Sequence, residues 1–535
     1  MRGNFAATTF GKDLKMKRTI AIALSAATIC GVIMTAGCGK NKPTGNHTSG
    51  STSSSVSQTE GMPMLPDASD GSISGDGQPQ ETDSSPPPTP LEEDPAAIKP
   101  SGFENLSFGG RTFTIAAASG TDPRWESAKE IYSDGADAVS TAVRERNAVV
   151  ESLYDCKIKI VATEDPAGLA MAEVTANTHN VDIFSATGFG KSLSESGNIY
   201  NLYSIGVDFS REWWDPTFVS AYTVKTESGT DTLFAAMGDF CLSALAATHA
   251  IIFNRDVLAS SPTDEDVYEL VRRKEWTMDK FAEMIRTAAK DVSGNSAIAF
   301  EDGDVLGWAR TGHATHGLHT ASALSIVETK NGAFLFSPAG DPAAWTSVID
   351  KAIGVWNTVG AQTLGYTSVQ KAIASGKALF ASEVIDVLER MKDAEDADIG
   401  VLPYPLYSPL QERYAHYVDN HVFTYHVPVS VSDTDAVGNF LEVFGYHSRH
   451  TVREAFINVY AYDYCSDPNA AEMLRIILDS RTYDPGYHYW SAAEGDLSNM
   501  IASSNNNVVQ WTEKRKNSLA ADIGSYVGKI SEAKS

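Results

Sequence analysis

Three histidines spaced as His313-x-x-His316-x-x-His319 have the clearest potential for chemistry in the chain. Imidazoles are good zinc ligands, and on a helix one ion could reach two of these side chains. No aspartate or glutamate lies between them to complete a coordination shell. We therefore predict no metal site and expect the three histidines to lie on a polar surface of the fold.

A second segment is close to a phosphate-binding loop. Residues 185–192 read S-A-T-G-F-G-K-S after an apolar run, but Ser185 stands where a P-loop has its first glycine. The chain also lacks G-x-S-x-G and H-E-x-x-H motifs and any Cys/His nucleophile setting. The sequence predicts no nucleotide binding, shows no recognisable hydrolase motif, and implies no cofactor.

Length and charge limit the class of protein. A chain of 535 residues is too long for one ordinary core, so we expect two compact lobes. Acidic residues outnumber basic ones by 68 to 42, a net charge of −26, which argues against nucleic-acid binding and weakly against anionic solutes. Cys156, Cys241 and Cys465 are far apart in sequence, and we predict that they are buried free thiols.

The N-terminus has the pattern of an export signal. Lys17 and Arg18 precede an apolar run over residues 19–34, and small residues then lead to Cys38. This pattern is typical of a signal peptide, and its end resembles a bacterial lipobox, in which the cysteine carries the lipid. We predict a lipoprotein signal peptide over residues 1–38, with lipidation at Cys38.

Residues 39–104 are rich in Ser, Thr, Pro and Gly. Such a segment cannot bury enough apolar surface to offset the loss of chain entropy, so we predict a disordered tether. A lipid, a tether and a globular body together indicate a protein at the extracellular face of the cell membrane, held there by a lipid anchor.

The body begins with alternating strands and helices. Predicted strands near residues 110–117, 157–162 and 181–186 are separated by helical segments, a spacing that indicates βαβ units and a mainly parallel sheet. Ligands of such sheets bind beyond the carboxyl ends of the strands, so the loops at residues 119–125 and 187–190 are candidates for binding.

A buried strand from His249 to Phe253 is predicted near the middle of the chain, and a helix with Thr277 as its N-cap follows it. We interpret the strand as a crossing from one α/β lobe into another. The helix would then be the first large element of the second lobe.

A series of short segments occurs in one order over most of the body. They are Arg146-Asn147, Trp213-Trp214-Asp215, Gly238-Asp239, Phe253-Asn254-Arg255, Trp276-Thr277-Met278-Asp279-Lys280, Gly376-Lys377-Ala378-Leu379-Phe380, Gly400-Val401-Leu402-Pro403-Tyr404-Pro405, Tyr464 with Asp467, Glu472-Met473-Leu474 and Arg481-Thr482-Tyr483-Asp484. In order and spacing the chain resembles an extracellular solute-binding protein of an ABC transporter, of family 1, which includes maltose-binding protein. The nearest likeness is to lipid-anchored Gram-positive members.

The resemblance implies a type II periplasmic-binding-protein fold, an α/β fold with two lobes, a hinge and a ligand cleft between the lobes. Lobe 1 would comprise residues 105–246, with residues 415–446 returning to it. Lobe 2 would comprise residues 247–414, with the helical residues 447–535 packing on both lobes. The resemblance further implies that the chain is not an enzyme, and that it binds a small solute, most often a carbohydrate, and delivers it to the ABC permease subunits.

Sugar binding requires carboxylates and amides for the hydroxyl groups and aromatic faces for the apolar side of the ring. In loops at strand ends we therefore expect ligand contacts from Trp125, Thr187, Asp239, Trp308, Glu383 and Trp490. A structural role stays open for each. The alternative functions are a secreted, lipid-anchored glycoside hydrolase with paired carboxylates, or a solute sensor for a membrane receptor.

Overall fold

Two separate sheets organise the chain. The computed structural model describes residues 94–120, 126–263, 265–392 and 397–532. Its strands are β1 (Arg111–Ala118), β2 (Cys156–Thr163), β3 (Ile183–Thr187), β4 (Val224–Lys225), β5 (Asp231–Thr232), β6 (His249–Asn254), β7 (Leu306–Arg310), β8 (Val327–Lys330), β9 (Ala333–Phe336), β10 (Ala361–Thr363), β11 (Ala378–Val384), β12 (Ile399–Leu402), β13 (His416–Tyr417), β14 (Phe423–His426) and β15 (Arg481–Thr482).

Helices surround both sheets. The α-helices are Ser127–Ile131, Ala138–Tyr154, Pro166–Ala176, Lys191–Ser196, Pro216–Tyr222, Leu242–Ala246, Arg255–Ala259, Val267–Arg272, Met278–Ala288, Ala314–Thr320, Ser337–Gly340, Pro342–Trp356, Tyr366–Ala374, Val387–Met391, Thr434–His450, Val452–Asn458, Pro468–Asp479, Pro485–His488, Ala492–Ala502 and Val508–Glu532. Short 3-10 helices span Pro95–Ala97, Gly188–Gly190, Leu202–Ile205 and Phe300–Asp302, and a π-helix spans Val459–Tyr464.

The first sheet has the strand order β14-β3-β1-β2. Strand β1 pairs in parallel with β2 and β3, and β14 pairs antiparallel with β3. Residues 113–118 of β1 are all buried, as expected for a central strand that is covered on both faces. The carboxyl ends of β1, β2 and β3 therefore lie at one edge of this sheet.

The second sheet has the order β10-β7-β11-β6-β12. Strands β10, β7 and β11 run parallel, whereas β6 is antiparallel to both of its neighbours, β11 and β12. All six residues of β6 are buried, which explains its continuous apolar and β-branched sequence.

Two chain segments cross between the sheets side by side. The backbone at Thr248 bridges to Val418, and the Asp419 N–H donates to the Ala247 carbonyl at 3.1 Å. On the other side, the Ile385 N–H donates to the Thr248 carbonyl at 2.9 Å. The crossing before β6 is thus held by backbone hydrogen bonds on both of its edges, which makes it the hinge of the structure.

Helix Met278–Ala288 packs on the second sheet and begins as predicted, since the Thr277 side chain accepts a hydrogen bond from the Lys280 N–H. The C-terminal helix Val508–Glu532 contacts both lobes. Its Trp511 lies 5.3 Å from Phe336 of β9, whereas its Lys529 forms a 3.1 Å ion pair with Glu195, in the helix that follows β3.

Residues 94–104 correct the predicted extent of the tether. The Pro95 carbonyl accepts a 3.0 Å hydrogen bond from the Tyr446 hydroxyl, and Lys99 lies 5.0 Å from the ring centre of Tyr154. These residues form specific contacts with two helices of the first lobe, so the folded body begins before residue 105. The signal peptide and the rest of the tether lie outside the described residues.

The three body cysteines are buried and unpaired, as predicted. Burial raises the pKa of Cys465 to about 12, and it raises the pKa of the Cys241 thiol well above its ordinary value. Protonated thiols of this kind behave as small apolar side chains.

Replacing Arg481 with alanine is expected to destabilise the fold by about 3–5 kcal/mol, since it leaves the buried carboxylate of Asp215 without its cation. The two side chains form a 2.7 Å ion pair and are only 5% and 3% exposed. Urea unfolding measures the change. In the matched control Arg272→Ala, which breaks exposed pairs with Glu269 and Glu472, the loss should be much smaller, because solvent screens exposed ion pairs. Equal losses in the two variants would contradict the prediction.

Candidate ligand-binding site

A cavity of about 510 Å³ opens at the carboxyl ends of β7 and β10. Its wall comprises residues 311–313 after β7, residues 364–366 after β10, and residues 419–421 beside the crossing. Tyr487 and Glu494 close it from the C-terminal part of the chain. Strand ends of this kind are where open α/β sheets bind ligands.

The local sequence explains why polar groups gather here. Strand β7 is fully buried and is followed by Thr311-Gly312, after which helix Ala314–Thr320 begins. That helix lies close against its neighbour, since a Cβ at Gly317 would come within 2.3 Å of the Tyr404 ring. Glycine at this position therefore lets the helix approach closely enough to bring His316 to the cavity wall.

Aromatic rings connect the cavity to the hinge. Tyr417 stacks on His249 at 3.9 Å on one side and on His316 at 4.1 Å on the other, with interplanar angles of 15° and 10°. Tyr487 meets His316 edge-on at 4.1 Å. The column runs from the first residue of β6, through β13, to the helix that lines the cavity.

The histidine triplet is placed differently from the prediction. His313 is exposed and lines the cavity, but His316 and His319 are only 4% and 1% exposed, so the expectation of a polar surface is wrong for these two. Burial lowers the pKa of His316 well below 6.5, which makes its imidazole neutral. Among the described residues, no group of three or more His, Cys, Asp and Glu side chains is placed to hold a metal ion.

Two carboxylates supply the charge of the cavity. Burial opposes ionisation of Glu494, but the polar side chains around it, those of His316, His319 and Ser498, lower its pKa. Burial likewise opposes ionisation of Asp419, yet its contacts with His249 and His421 hold its pKa below the ordinary value. Both groups are therefore ionised at neutral pH.

Of the six predicted contact residues, Trp125 lies outside the described residues, and none of the other five lines this cavity. Thr187 is exposed at the carboxyl end of β3. Asp239 is buried and forms ion pairs with Arg449 at 2.9 Å and Arg453 at 3.3 Å. Burial raises the pKa of Asp239, although both arginines oppose the shift.

The other three predicted residues lie in the second lobe or its C-terminal part. The expectation that Trp308 lies in a loop is wrong: it is fully buried in β7, and its indole N–H donates to Ser382 at 2.9 Å. Glu383 is buried in β11, and burial raises its pKa to about 7. Trp490 packs edge-on against Phe334 at 5.6 Å.

Sequence reasoning missed Tyr366, Asp419, Tyr487 and Glu494. Tyr366 was difficult to predict as a site residue, because the strand before it, β10, has only three residues and leaves little pattern in the sequence. Asp419 offered a better signal, since residues 419–421 form a short polar segment between buried strands. The remaining two lie on helices, where nothing in the local sequence indicates which way they face.

A second cavity, of about 520 Å³, has no lining residue in common with the first. Several of its acidic groups have partners within the protein: Glu130 accepts from the Ser243 N–H at 2.6 Å, and Asp386 pairs with Arg390 at 2.6 Å. Asp137 caps the helix Ala138–Tyr154. Its polar groups thus serve the fold, which favours the first cavity as the ligand site.

No protein-family model matches the sequence, and no curated protein matches it. Solved structures share its fold. A cyclo/maltodextrin-binding protein complexed with maltotetraose superposes with a TM-score of 0.50 at 12% sequence identity, over 79% of this chain and 96% of that chain. The chain has a solute-binding-protein fold. This confirms the two-lobed α/β fold predicted from the sequence.

Two further solved structures are similar at lower scores. A family 1 extracellular solute-binding protein from Bifidobacterium longum subsp. infantis is 14% identical, with a TM-score of 0.47, over 77% of this chain and all of that chain. UspC of M. tuberculosis is 15% identical, with a TM-score of 0.46, over the same shares of the two chains. The assignment of the solute-binding-protein fold rests on the first comparison.

Replacing Glu383 with glutamine tests its buried, protonated state. The stability that this group contributes is fully present below its ordinary pKa of 4.5 and is lost as the pH rises through about 7. Relative to the wild type, Glu383→Gln should therefore gain about 2.5 kcal/mol of unfolding free energy between pH 5 and pH 8. Urea unfolding at the two pH values measures this gain.

The control for this experiment is Glu513→Gln, at a glutamate whose side chain is 66% exposed. Its difference from the wild type should be the same at both pH values. A Glu383→Gln difference that is equally constant would show that Glu383 is ionised in the folded protein.

Proposed function

We propose that this protein is the substrate-binding component of an ABC importer, which binds a carbohydrate between its lobes and delivers it to the permease subunits. One observation carries the proposal: within a solute-binding-protein fold, a cavity lined by aromatic rings and carboxylates lies at strand ends beside the hinge. The structure that supports the fold assignment is itself a complex with maltotetraose.

The chemistry of the cavity suits a sugar. Asp419 and Glu494 provide acceptors for hydroxyl groups, and the Asn420 amide provides both donors and an acceptor. Tyr366 is 56% exposed and offers a ring on which the apolar face of a pyranose can stack. The volume of about 510 Å³ lies within the usual range for small-molecule sites.

Lobe closure follows from where the cavity lies. A solute in it touches the second lobe through residues 311–316 and the hinge through residues 419–421. A ligand shifts a conformational equilibrium when it binds one state better than the other, and contacts that form only on closure provide that difference. The lobe boundaries predicted from the sequence are part of this proposal, with residues 94–104 added to lobe 1.

The same cavity argues against the hydrolase alternative. A glycosidase needs one carboxylic acid that is protonated near neutral pH to donate to the leaving group. Both carboxylates here have lowered pKa values, so neither can act as that acid. We therefore propose a binding protein rather than an enzyme. A sensor role for a membrane receptor would use the same binding step.

Export and lipid anchoring complete the proposal. The lipobox-like sequence at Cys38 and the Ser/Pro-rich tether support a location at the extracellular face of the membrane. No helix in the described part of the chain is both long and apolar enough to cross a membrane. Radiolabelled palmitate should be incorporated into the wild type and not into Cys38→Ala.

Neutral oligosaccharides of glucose are expected to raise the melting temperature of the protein without being cleaved. Small-angle scattering should show a smaller radius of gyration with the ligand, because closure brings the lobes together. Chromatography of the saccharides after long incubation checks for products. Product formation at turnover rates would contradict the binding-protein proposal in favour of the hydrolase.

Tyr366→Ala should weaken saccharide binding by about five- to thirtyfold, since one aromatic stacking contact contributes about 1–2 kcal/mol. Calorimetric titration measures the dissociation constant. The melting temperature of the free protein should hardly change, because Tyr366 is exposed. Tyr462→Ala is the matched control, as this tyrosine is 50% exposed and does not line the cavity. Equal affinities in the two variants would remove Tyr366 from the site.

A further inference from the structure

The charge of the cavity is one-sided. Its wall contains the carboxylates of Asp419 and Glu494, and no lysine or arginine from the described residues lines it. Both carboxylates are largely buried, with side chains 16% and 13% exposed. A charge introduced by a solute would therefore meet fixed negative groups with little water to screen them.

Each carboxylate also has one oxygen that can accept a further hydrogen bond. Oδ1 of Asp419 accepts the His421 backbone N–H at 2.9 Å and lies 2.7 Å from Nδ1 of the His421 ring, whereas Oδ2 lies 3.9 Å from Nε2 of His249. Oε1 of Glu494 accepts the Ser498 hydroxyl, and Oε2 forms no hydrogen bond with the described residues. One oxygen of each group is thus available to a solute.

His316 is a second, independent sign of an absent ligand. It lines the cavity at 4% exposure, and its ring nitrogens form no hydrogen bond with a described residue. Its Nδ1 lies 3.7 Å from Oε1 of Glu494, which is too far for a hydrogen bond. Buried polar groups are normally hydrogen-bonded, so this imidazole needs a partner that a polar solute would supply.

Two tyrosine rings add to the preference for positive charge. Tyr366 and Tyr487 both line the cavity, and the face of an aromatic ring attracts a cation. His316 cannot offset the negative charge, because burial keeps it neutral. An ammonium group would thus find carboxylates and ring faces, whereas a carboxylate would find no lysine or arginine among the described lining residues, only the imidazoles of His313, His316 and His421.

We propose that this cavity selects saccharides that carry an amino group over neutral ones and rejects those that carry a carboxylate, with Glu494 and Asp419 as the residues that decide. This inference rests on the carbohydrate binding proposed above. It narrows the solute class from carbohydrates in general to amino saccharides.

Three disaccharides with β-1,4-linked glucose frameworks test it: a glucosamine disaccharide, cellobiose and cellobiouronic acid. Calorimetric titrations are run at about pH 6, where the amine is protonated and both carboxylates are ionised. We expect the amino disaccharide to bind at least about tenfold more tightly than cellobiose, and the acid at least about tenfold more weakly.

Glu494→Gln and Asp419→Asn should each lower the affinity for the amino disaccharide at least about tenfold more than they lower the affinity for cellobiose, because the amide can still bond a hydroxyl group but carries no charge. Glu513→Gln, at an exposed glutamate that does not line the cavity, should change neither affinity. The melting temperature of each free variant shows whether it is folded. If one variant does not fold, the other still tests the proposal.

The outcomes separate the two proposals. If none of the saccharides binds, and a wider neutral panel also fails, the proposed function is wrong and the inference falls with it. If cellobiose and the charged disaccharides bind equally, or if both folded variants keep the preference for the amine, carbohydrate binding stands and the charge selection is overturned.

Discussion

The structure depends on one constraint: the chain must pass from one sheet into the other without leaving backbone groups unpaired. The crossing at residues 247–248 meets it by bonding to residue 385 on one edge and to residues 418 and 419 on the other. Each hydrogen bond contributes only about 1 kcal/mol, but an unpaired buried group costs more than that. The crossing is therefore held in register where it leads into strand β6, which pairs antiparallel with both of its neighbours in the second sheet.

Much of the fold could be predicted because several segments have local patterns that agree with their tertiary roles. The buried strand β6 and the capped helix Met278–Ala288 both lie where the sequence indicated. Strand β7 was missed, since a five-residue run containing Gly307 and Arg310 lacks the usual apolar pattern. Its arginine is buried by contact with a ring, 3.7 Å from the Trp356 centroid, and no local pattern reveals such a partner.

The candidate site was harder to predict than the fold, because its residues come from distant parts of the chain. Asp419 and Glu494 reach one cavity only after the crossing and the C-terminal helices are in place. Reasoning from residue type favoured tryptophans and carboxylates near strand ends. The predicted contact residues therefore included Trp308 and Glu383, which are both buried. A strand end can be located from sequence, but the face to which a side chain points depends on register and packing.

Burial, together with the groups around each side chain, explains why the carboxylates of Glu383 and Glu494 differ in charge. Glu383 has no cation close enough to offset its desolvation, and its Oε1 has no hydrogen bond within the described residues, so its pKa rises to about 7. Glu494 is also largely buried, yet its histidine and serine neighbours lower its pKa. The first group can be accommodated in a strand as a neutral side chain, whereas the second keeps a charge at the cavity wall.

The stacked rings connect the cavity wall to the hinge. His316 lines the cavity, Tyr417 stacks on it, and His249 stacks on Tyr417 at the first residue of β6. A solute that hydrogen-bonds His316 would fix one end of this column, and a solute that contacts residues 419–421 would fix the crossing segment beside the other. Because closely packed rings do not deform gradually, restraint at both ends favours one hinge geometry over the others. In the proposed function, the free energy that closes the lobes would come from this restraint, and a solute that left His316 unpaired would bind with little closure.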